Sequence, residues 1–283
     1  MSTPGRPKGK YRSAQHEGTP MSARSYLFVP GDRPERFAKA LASGAGAVVI
    51  DLEDAVAPEA KQGARSTLAA WLADAPAPVV LRINAADTEW FDADLALCAL
   101  PGVAGVMLPK AERSADLARV ARAAPGRSLL PLIETALGFD RLRTITESPC
   151  VERLVFGSID FQLDLGIAGD GEELLFFRSQ LVLASRLAGI GAPVDGVSTA
   201  IDDVESLRAD TTRARRLGFG AKLCIHPKQV AVVNAAFMPS DEEMAWARRV
   251  IEAAGRSQGA AVAVDGKMVD KPVILRAQAM LNS

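Results

Sequence analysis

Two carboxylates stand at the ends of apolar runs: Glu134 in LLPLIET and Asp160 in RLVFGSID. A carboxylate there is costly to bury unless it is paired or holds a metal. Two of them, converging from separate strand ends, make an oxygen-rich site for a hard cation such as Mg2+. Glu53 and Asp54 close a third run; they could reach such a cation through its waters, or cap the helix expected near Pro58. Arg82 lies on an otherwise apolar strand and needs an anion beside it. A substrate carboxylate, a developing enolate, or a buried ion pair with Glu53 or Asp54 would each suit a planar guanidinium.

The elements that must position these groups alternate in type from residue 24 onward. Short runs rich in Val, Ile and Leu fall at Ser25–Gly31, Ala47–Asp54, Val79–Ala85, Gly105–Lys110, Leu129–Thr135, Arg153–Asp160, Pro193–Ser198 and Ala221–Pro227. Such runs suit strands buried on both faces. Amphipathic stretches between them (Pro34–Ser43, Glu59–Ala73, Ser114–Ala124, Leu174–Ala188, Asp202–Leu217) begin and end with helix start and stop residues. Eight strands alternating with helices predict a (β/α)8 TIM barrel; a doubly wound open sheet is the competitor, weakened because no GxGxxG follows the first strand. In such a barrel the chemistry belongs at the C-terminal strand ends. These carry Asp32, Arg33, Asp51, Glu53, Asp54, Arg82, Asn84, Lys110, Glu134, Asp160 and His226.

The domain reading is a disordered basic leader over 1–23, the barrel over 24–236, and a helical and lid-like extension over 237–283. The net charge of −1 gives no overall field to recruit nucleic acid or a membrane surface. No apolar run approaches the roughly 20 residues that span a bilayer. Three cysteines without metal-ligand spacing, and no signal peptide, point to the cytoplasm. The strand before His226 and the Pro after it favour a structural histidine over an acid–base one, and Cys224 reads as core. Lys110 leaves lysine aldolase chemistry as a weaker alternative, and no Ser-His-Asp order, CxxC or P-loop is present.

The segments LFVPGDRPERFAKA, VVIDLEDAVAPEAKQGAR, LRIN, VMLPK, PLIETALG, VFGSIDF, GFGAKLCIHPKQV and GKMVDKPVILRAQ occur in that order across residues 24–281. In them the chain resembles the citrate lyase β-subunit-like family, within the wider group of Mg2+-dependent malyl-CoA lyases and related aldolases. LPK alone is weak; DLEDAVAP together with the carboxylate pair and IHPKQV is specific. The resemblance implies a (β/α)8 barrel that assembles as a homotrimer or hexamer, with Glu134 and Asp160 binding Mg2+. It implies that Arg82 contacts the reacting acyl group and that Phe28, Arg33 and Lys39 contact coenzyme A. It also implies that Asp270, in GKMVD, reaches a neighbouring subunit's active site as acid or base. Glu53, Asp54, Arg82 and Asp270 are then the catalytic candidates, with Arg82 and Glu134 also touching substrate. Some relatives carry an acidic residue before the metal aspartate, as in GGED; this chain has Ile159, which bears on substrate choice.

The expected activity is Mg2+-dependent cleavage of a short 3-hydroxyacyl-CoA, of malyl-CoA or citramalyl-CoA type, to acetyl-CoA and a 2-oxo acid. The alternatives are the lyase subunit of a citrate lyase complex acting on an acyl-carrier-protein thioester, a malate synthase or thioesterase relative, a pyruvate aldolase, or a non-catalytic member.

Overall fold

The computed structural model describes residues 23–256 and 262–282; most of the expected leader lies outside them. Eight parallel strands close into a barrel in sequence order: β1 (Ser25–Pro30), β2 (Ala47–Asp51), β3 (Val79–Arg82), β4 (Val103–Leu108), β5 (Ser128–Ile133), β6 (Arg153–Phe156), β7 (Gly191–Asp195) and β8 (Ala221–Cys224). Pairing of β1 with β8 removes the open-sheet alternative. The helices between the strands are α1 (Phe37–Leu41), α2 (Lys61–Ala73), α3 (Phe91–Leu95), α4 (Ser114–Ala123), α5 (Ala136–Asp140), α6 (Leu142–Thr146), α7 (Ser158–Leu165), α8 (Leu175–Ala188) and α9 (Val204–Leu217); α10 (Pro227–Phe237) and α11 (Asp241–Arg256) follow the barrel. No described helix is long and apolar enough to cross a membrane.

Strand residues alternate between two buried faces. Tyr26, Val49, Val80, Met107, Leu130 and Val155 belong to the cluster that fills the barrel. Their neighbours Leu27, Val48, Leu81, Val106, Leu129 and Leu154 are buried as well. The same parity decides the site. Asp51 stands two residues after Val49, Arg82 two after Val80, and Glu134 two after Leu132, so each continues an inward-facing row past the apolar fill.

Several expected strands are too long. Asp160 does not end a strand: β6 stops at Phe156, and Asp160 sits in the first turn of α7. The run VFGSIDF is apolar enough to read as strand throughout, and period alone does not separate strand from helix in so short a segment. The second run likewise ends at Asp51; residues 52–54 form a turn whose backbone folds over the Asp51 carboxylate, which accepts the N–H groups of Glu53 (2.9 Å) and Ala55 (3.0 Å). The last run ends at Cys224, and Pro227 begins α10.

Behind β7 and β8 lies a buried charge network. Arg178 of α8 donates from Nε to Asp195 (2.9 Å) and from both terminal nitrogens to Asp170, while Lys222 donates to the Gly196 carbonyl and lies 3.7 Å from Asp195. Arg178 therefore ties the segment after α7 to β7. Arg178→Lys keeps the charge but loses the planar fork, and is expected to destabilise the protein by about 2 kcal/mol in urea titration; an unchanged midpoint would contradict this.

The described residues divide into two compact units between Asn234 and Ala235. In the second unit, α11 and α12 (Lys271–Leu281) pack with the hairpin β9 (Val262–Val264) and β10 (Lys267–Val269) around Ala247, Val250, Val264, Val269 and Ala277. The two-residue hairpin loop is Asp265-Gly266, both at positive φ, the conformation that Asp-Gly turns favour.

Candidate active site

A cavity of about 510 Å³ opens at the C-terminal ends of the strands. Phe28, Asp54, Arg82, Glu134 and Asp160 all line it, as does Asp51. Glu53 stands beside them through Arg82. Of the other expected contacts, Arg33 and Lys39 are exposed and do not line the cavity. Asp270 belongs to the second unit, where its carboxylate caps α12 by accepting the Val273 N–H at 3.3 Å.

Glu134 is the most constrained acid. It follows the last residue of β5, is 3 % exposed, and takes the Lys110 N–H on Oε1 at 2.7 Å. Lys110 holds a left-handed backbone (φ 45°), an uncommon state for a residue with a side chain, and that conformation accompanies the bond from its amide to Glu134. Burial raises the Glu134 pKa to about 7; the Lys110 N–H lowers it, Asp160 raises it, Arg82 lowers it and Asp54 raises it. Gly157 supplies the space: a Cβ there would lie 2.6 Å from Glu134 Cβ and 2.7 Å from Oε2. Because Gly157 has an ordinary φ of −87°, space alone requires glycine. Gly157→Ala is expected to cost about 2 kcal/mol through overpacking and to weaken metal binding about tenfold or more by displacing Glu134. Wild-type metal affinity in a folded Gly157→Ala protein would contradict it.

Arg82 has a different chief partner from those expected. Its Nε and one terminal nitrogen each lie 2.7 Å from an oxygen of Asp51, a bidentate pair between adjacent residues on β2 and β3. The other terminal nitrogen lies 3.0 Å from Glu53 and 3.4 Å from Asp54. Glu53 Oε2 approaches Arg82 without hydrogen-bond alignment and is otherwise unpartnered. The Glu53 pKa rises to about 8: burial raises it, Arg82 lowers it, and Glu134, Asp54 and Asp51 raise it further. The guanidinium also lies over the Phe28 ring, 4.8 Å from its centre.

A supporting layer lies beneath, and of its members only Asn84 stands out in the sequence. Lys61 Nζ, 5 % exposed as a residue, donates to the carbonyls of Leu52 (2.8 Å) and Glu53 (2.9 Å), and Asn84 donates to Leu52 while Asp94 holds Asn84. These bonds fix the turn that carries Glu53 and Asp54. His226 accepts the Lys228 N–H on Nδ1 (3.2 Å), a local turn role, and Cys224 is fully buried.

The donor set suits a hard cation. Asp160 opens to the cavity from the first turn of a helix, Glu134 is desolvated and repelled by Asp160, and Arg82 is already held by other acids. No cluster of three or more His, Cys, Asp or Glu positioned for a metal occurs among the described residues. Two carboxylates with several retained waters is the usual protein share for Mg2+.

A closed parallel barrel with an acid-lined cavity at its C-terminal mouth is the arrangement of a (β/α)8-barrel enzyme. The chain belongs to the HpcH/HpaI aldolase/citrate lyase family, whose model matches residues 24–227. It is 41 % identical to a citrate lyase subunit beta-like protein of Deinococcus radiodurans, over 93 % of this chain and 98 % of that protein. It is 37 % identical to a (3S)-malyl-CoA thioesterase of Cereibacter sphaeroides, over 94 % and 95 %. Its fold superposes on protein CitE from Mycobacterium tuberculosis in complex with magnesium, acetoacetate and coenzyme A, with a TM-score of 0.81, 39 % identity, and coverage of 93 % and 98 %.

Proposed function

We propose that this protein is a Mg2+-dependent carbon–carbon lyase that splits a short 3-hydroxyacyl-CoA, of malyl or citramalyl type, into acetyl-CoA and a 2-oxo acid. The observation that carries this reading is the presence of Glu134, Asp160 and Arg82 around one cavity. Glu134 and Asp160 would hold the cation, with Asp54 reaching its waters. Mg2+ bound there supplies Lewis-acid polarisation at the substrate oxygens.

The chain's own groups divide the remaining work. Cleavage breaks the bond between C2 and C3 of the acyl chain and places its electrons on the thioester as an enolate. Arg82, fixed in advance by Asp51, presents positive charge to that oxygen without reorganising. Glu53, which burial pushes up to about 8 in the metal-free protein, stands beside Arg82 at the cavity, and we assign it the proton of the 3-hydroxyl. Asp270 of a neighbouring copy in a homotrimer or hexamer would return a proton to the enolate carbon. Arg33 and Lys39, exposed at the surface, would meet the coenzyme A phosphates.

Asp270→Asn keeps the cap on α12 and removes the proton. It is expected to leave the melting temperature within about 1 °C while lowering kcat by about 10²-fold or more; unchanged kcat would remove Asp270 from the mechanism. The function itself is tested with malyl-, methylmalyl- and citramalyl-CoA, by following Mg2+-dependent formation of a shorter acyl-CoA and a 2-oxo acid, with EDTA controls. Metal-dependent cleavage of one member supports the lyase. Free CoA with the intact hydroxy acid would instead support thioester hydrolysis, the activity that the Cereibacter relative's name carries. Turnover only with a carrier-protein thioester would support a citrate lyase subunit.

A further inference from the structure

The charged groups that line the cavity are unevenly balanced. Acids dominate its charged lining: Asp51, Asp54, Glu134 and Asp160 face one base, Arg82, whose three guanidinium nitrogens already approach carboxylate oxygens. A divalent cation on Glu134 and Asp160 would leave the lining still short of positive charge. One carboxylate of a bound oxo acid has the metal to meet; a second would find no free cation among the described residues that line the cavity. The same cavity holds two large aliphatic side chains left open, Ile159 at 45 % exposure and Ile225 at 39 %, with half-buried Val197. Ile159 is the residue immediately before Asp160 on α7, so it adjoins whatever the metal holds. Covering open aliphatic surface favours an alkyl substituent over a charged one.

We propose that this cavity selects by charge: it accepts a 2-oxo acid with one carboxylate and a small alkyl substituent, rejects one with a second carboxylate, and uses Ile159 as the specificity-determining residue. The proposal rests on the lyase reading and deepens it, because it favours a citramalyl-type thioester, which releases pyruvate, over a citryl one, which releases a dicarboxylate.

Binding of the oxo acids alone tests this without turnover. The full chain with saturating Mg2+ is titrated by calorimetry with pyruvate, 2-oxobutyrate and freshly dissolved oxaloacetate; the last two share a chain length and differ in a methyl against a carboxylate. Oxaloacetate is expected to bind at least about tenfold more weakly than 2-oxobutyrate. Ile159→Lys is expected to reverse that order, and Ile225→Lys, which places a cation after β8 rather than next to a metal ligand in sequence, to narrow it. Mg2+ affinity measured on each variant separates a lost metal from a changed preference. Equal binding of oxaloacetate and 2-oxobutyrate by the wild type overturns the selection, and an unchanged order in Ile159→Lys with metal still bound removes Ile159 as its determinant. Failure of all three acids to bind with Mg2+ overturns the lyase reading and this inference with it.

Discussion

Glu134→Gln is expected to lower metal-dependent turnover by about 10³-fold or more, because the exchange removes one of two charged donors for a cation that acts as Lewis acid. The fold should survive it. The amide oxygen still accepts the Lys110 N–H, and the side chain keeps the shape that Gly157 leaves for it. The same variant reports on burial. Glu134 in the folded, metal-free protein has a pKa of about 7 against an ordinary value of 4.5. Between those pH values the folded state binds more protons than the unfolded one, so stability falls as pH rises through the window and the shortfall is complete above about pH 7. The cost at pH 8 is on the order of 3 kcal/mol. Metal-free Glu134→Gln should therefore have a flatter pH–stability profile than wild type and be the more stable protein at pH 8. Mg2+ should stabilise the wild type, increasingly from pH 6 to pH 8, and leave the variant unmoved. Wild-type turnover in the variant would remove Glu134 from the chemistry.

The second large effect belongs to Arg82. Arg82→Met removes the cation that faces three acids, of which Asp51 is 1 % exposed. Breaking a buried pair from one side leaves an uncompensated charge and costs about 3–5 kcal/mol. Turnover should fall a further 10²- to 10³-fold or so in protein that remains folded, through loss of charge stabilisation at the thioester. Arg82→Lys restores charge without the bidentate fork and should recover part of the stability but little of the activity. Urea denaturation and kcat on the same samples separate the roles. Stability lost with activity intact would make Arg82 a structural ion pair; activity lost with stability intact would place its whole effect on substrate.

The barrel could be read from the sequence because parallel strands buried on both faces leave continuous apolar runs, such as VVL in β3 and LLPLI in β5. Strand ends were harder to read for the same reason. Leu52 and Ile159 are apolar residues beyond the last ladder positions, so the apolar runs continue past the strand ends. Asp51 was visible only as one acid among three in DLED; its register opposite Arg82 singles it out, and register is a property of two strands together. Lys61 in PEAKQG has the look of a solvated helix residue, yet its ammonium is turned inward onto the Leu52 and Glu53 carbonyls. The signal for Gly157 was in the sequence: a glycine three residues before a candidate metal ligand. What it could not give was the distance to Glu134. Lys39, Asp270 and the coenzyme A role of Arg33 came from resemblance alone, since surface charges carry no pattern that separates a ligand contact from a solvated side chain.

Divalent cation binding by Glu134 and Asp160 underlies every other step of the proposed chemistry. Mn2+, which takes the same oxygen donors as Mg2+, can be followed directly by electron paramagnetic resonance in EDTA-stripped full-length protein at pH 8. The expected result is one Mn2+ per chain in the wild type, displaced by Mg2+, with affinity at least about a hundredfold weaker in both Glu134→Gln and Asp160→Asn. Mn2+ bound equally well by the wild type and both variants would contradict the assignment of the site.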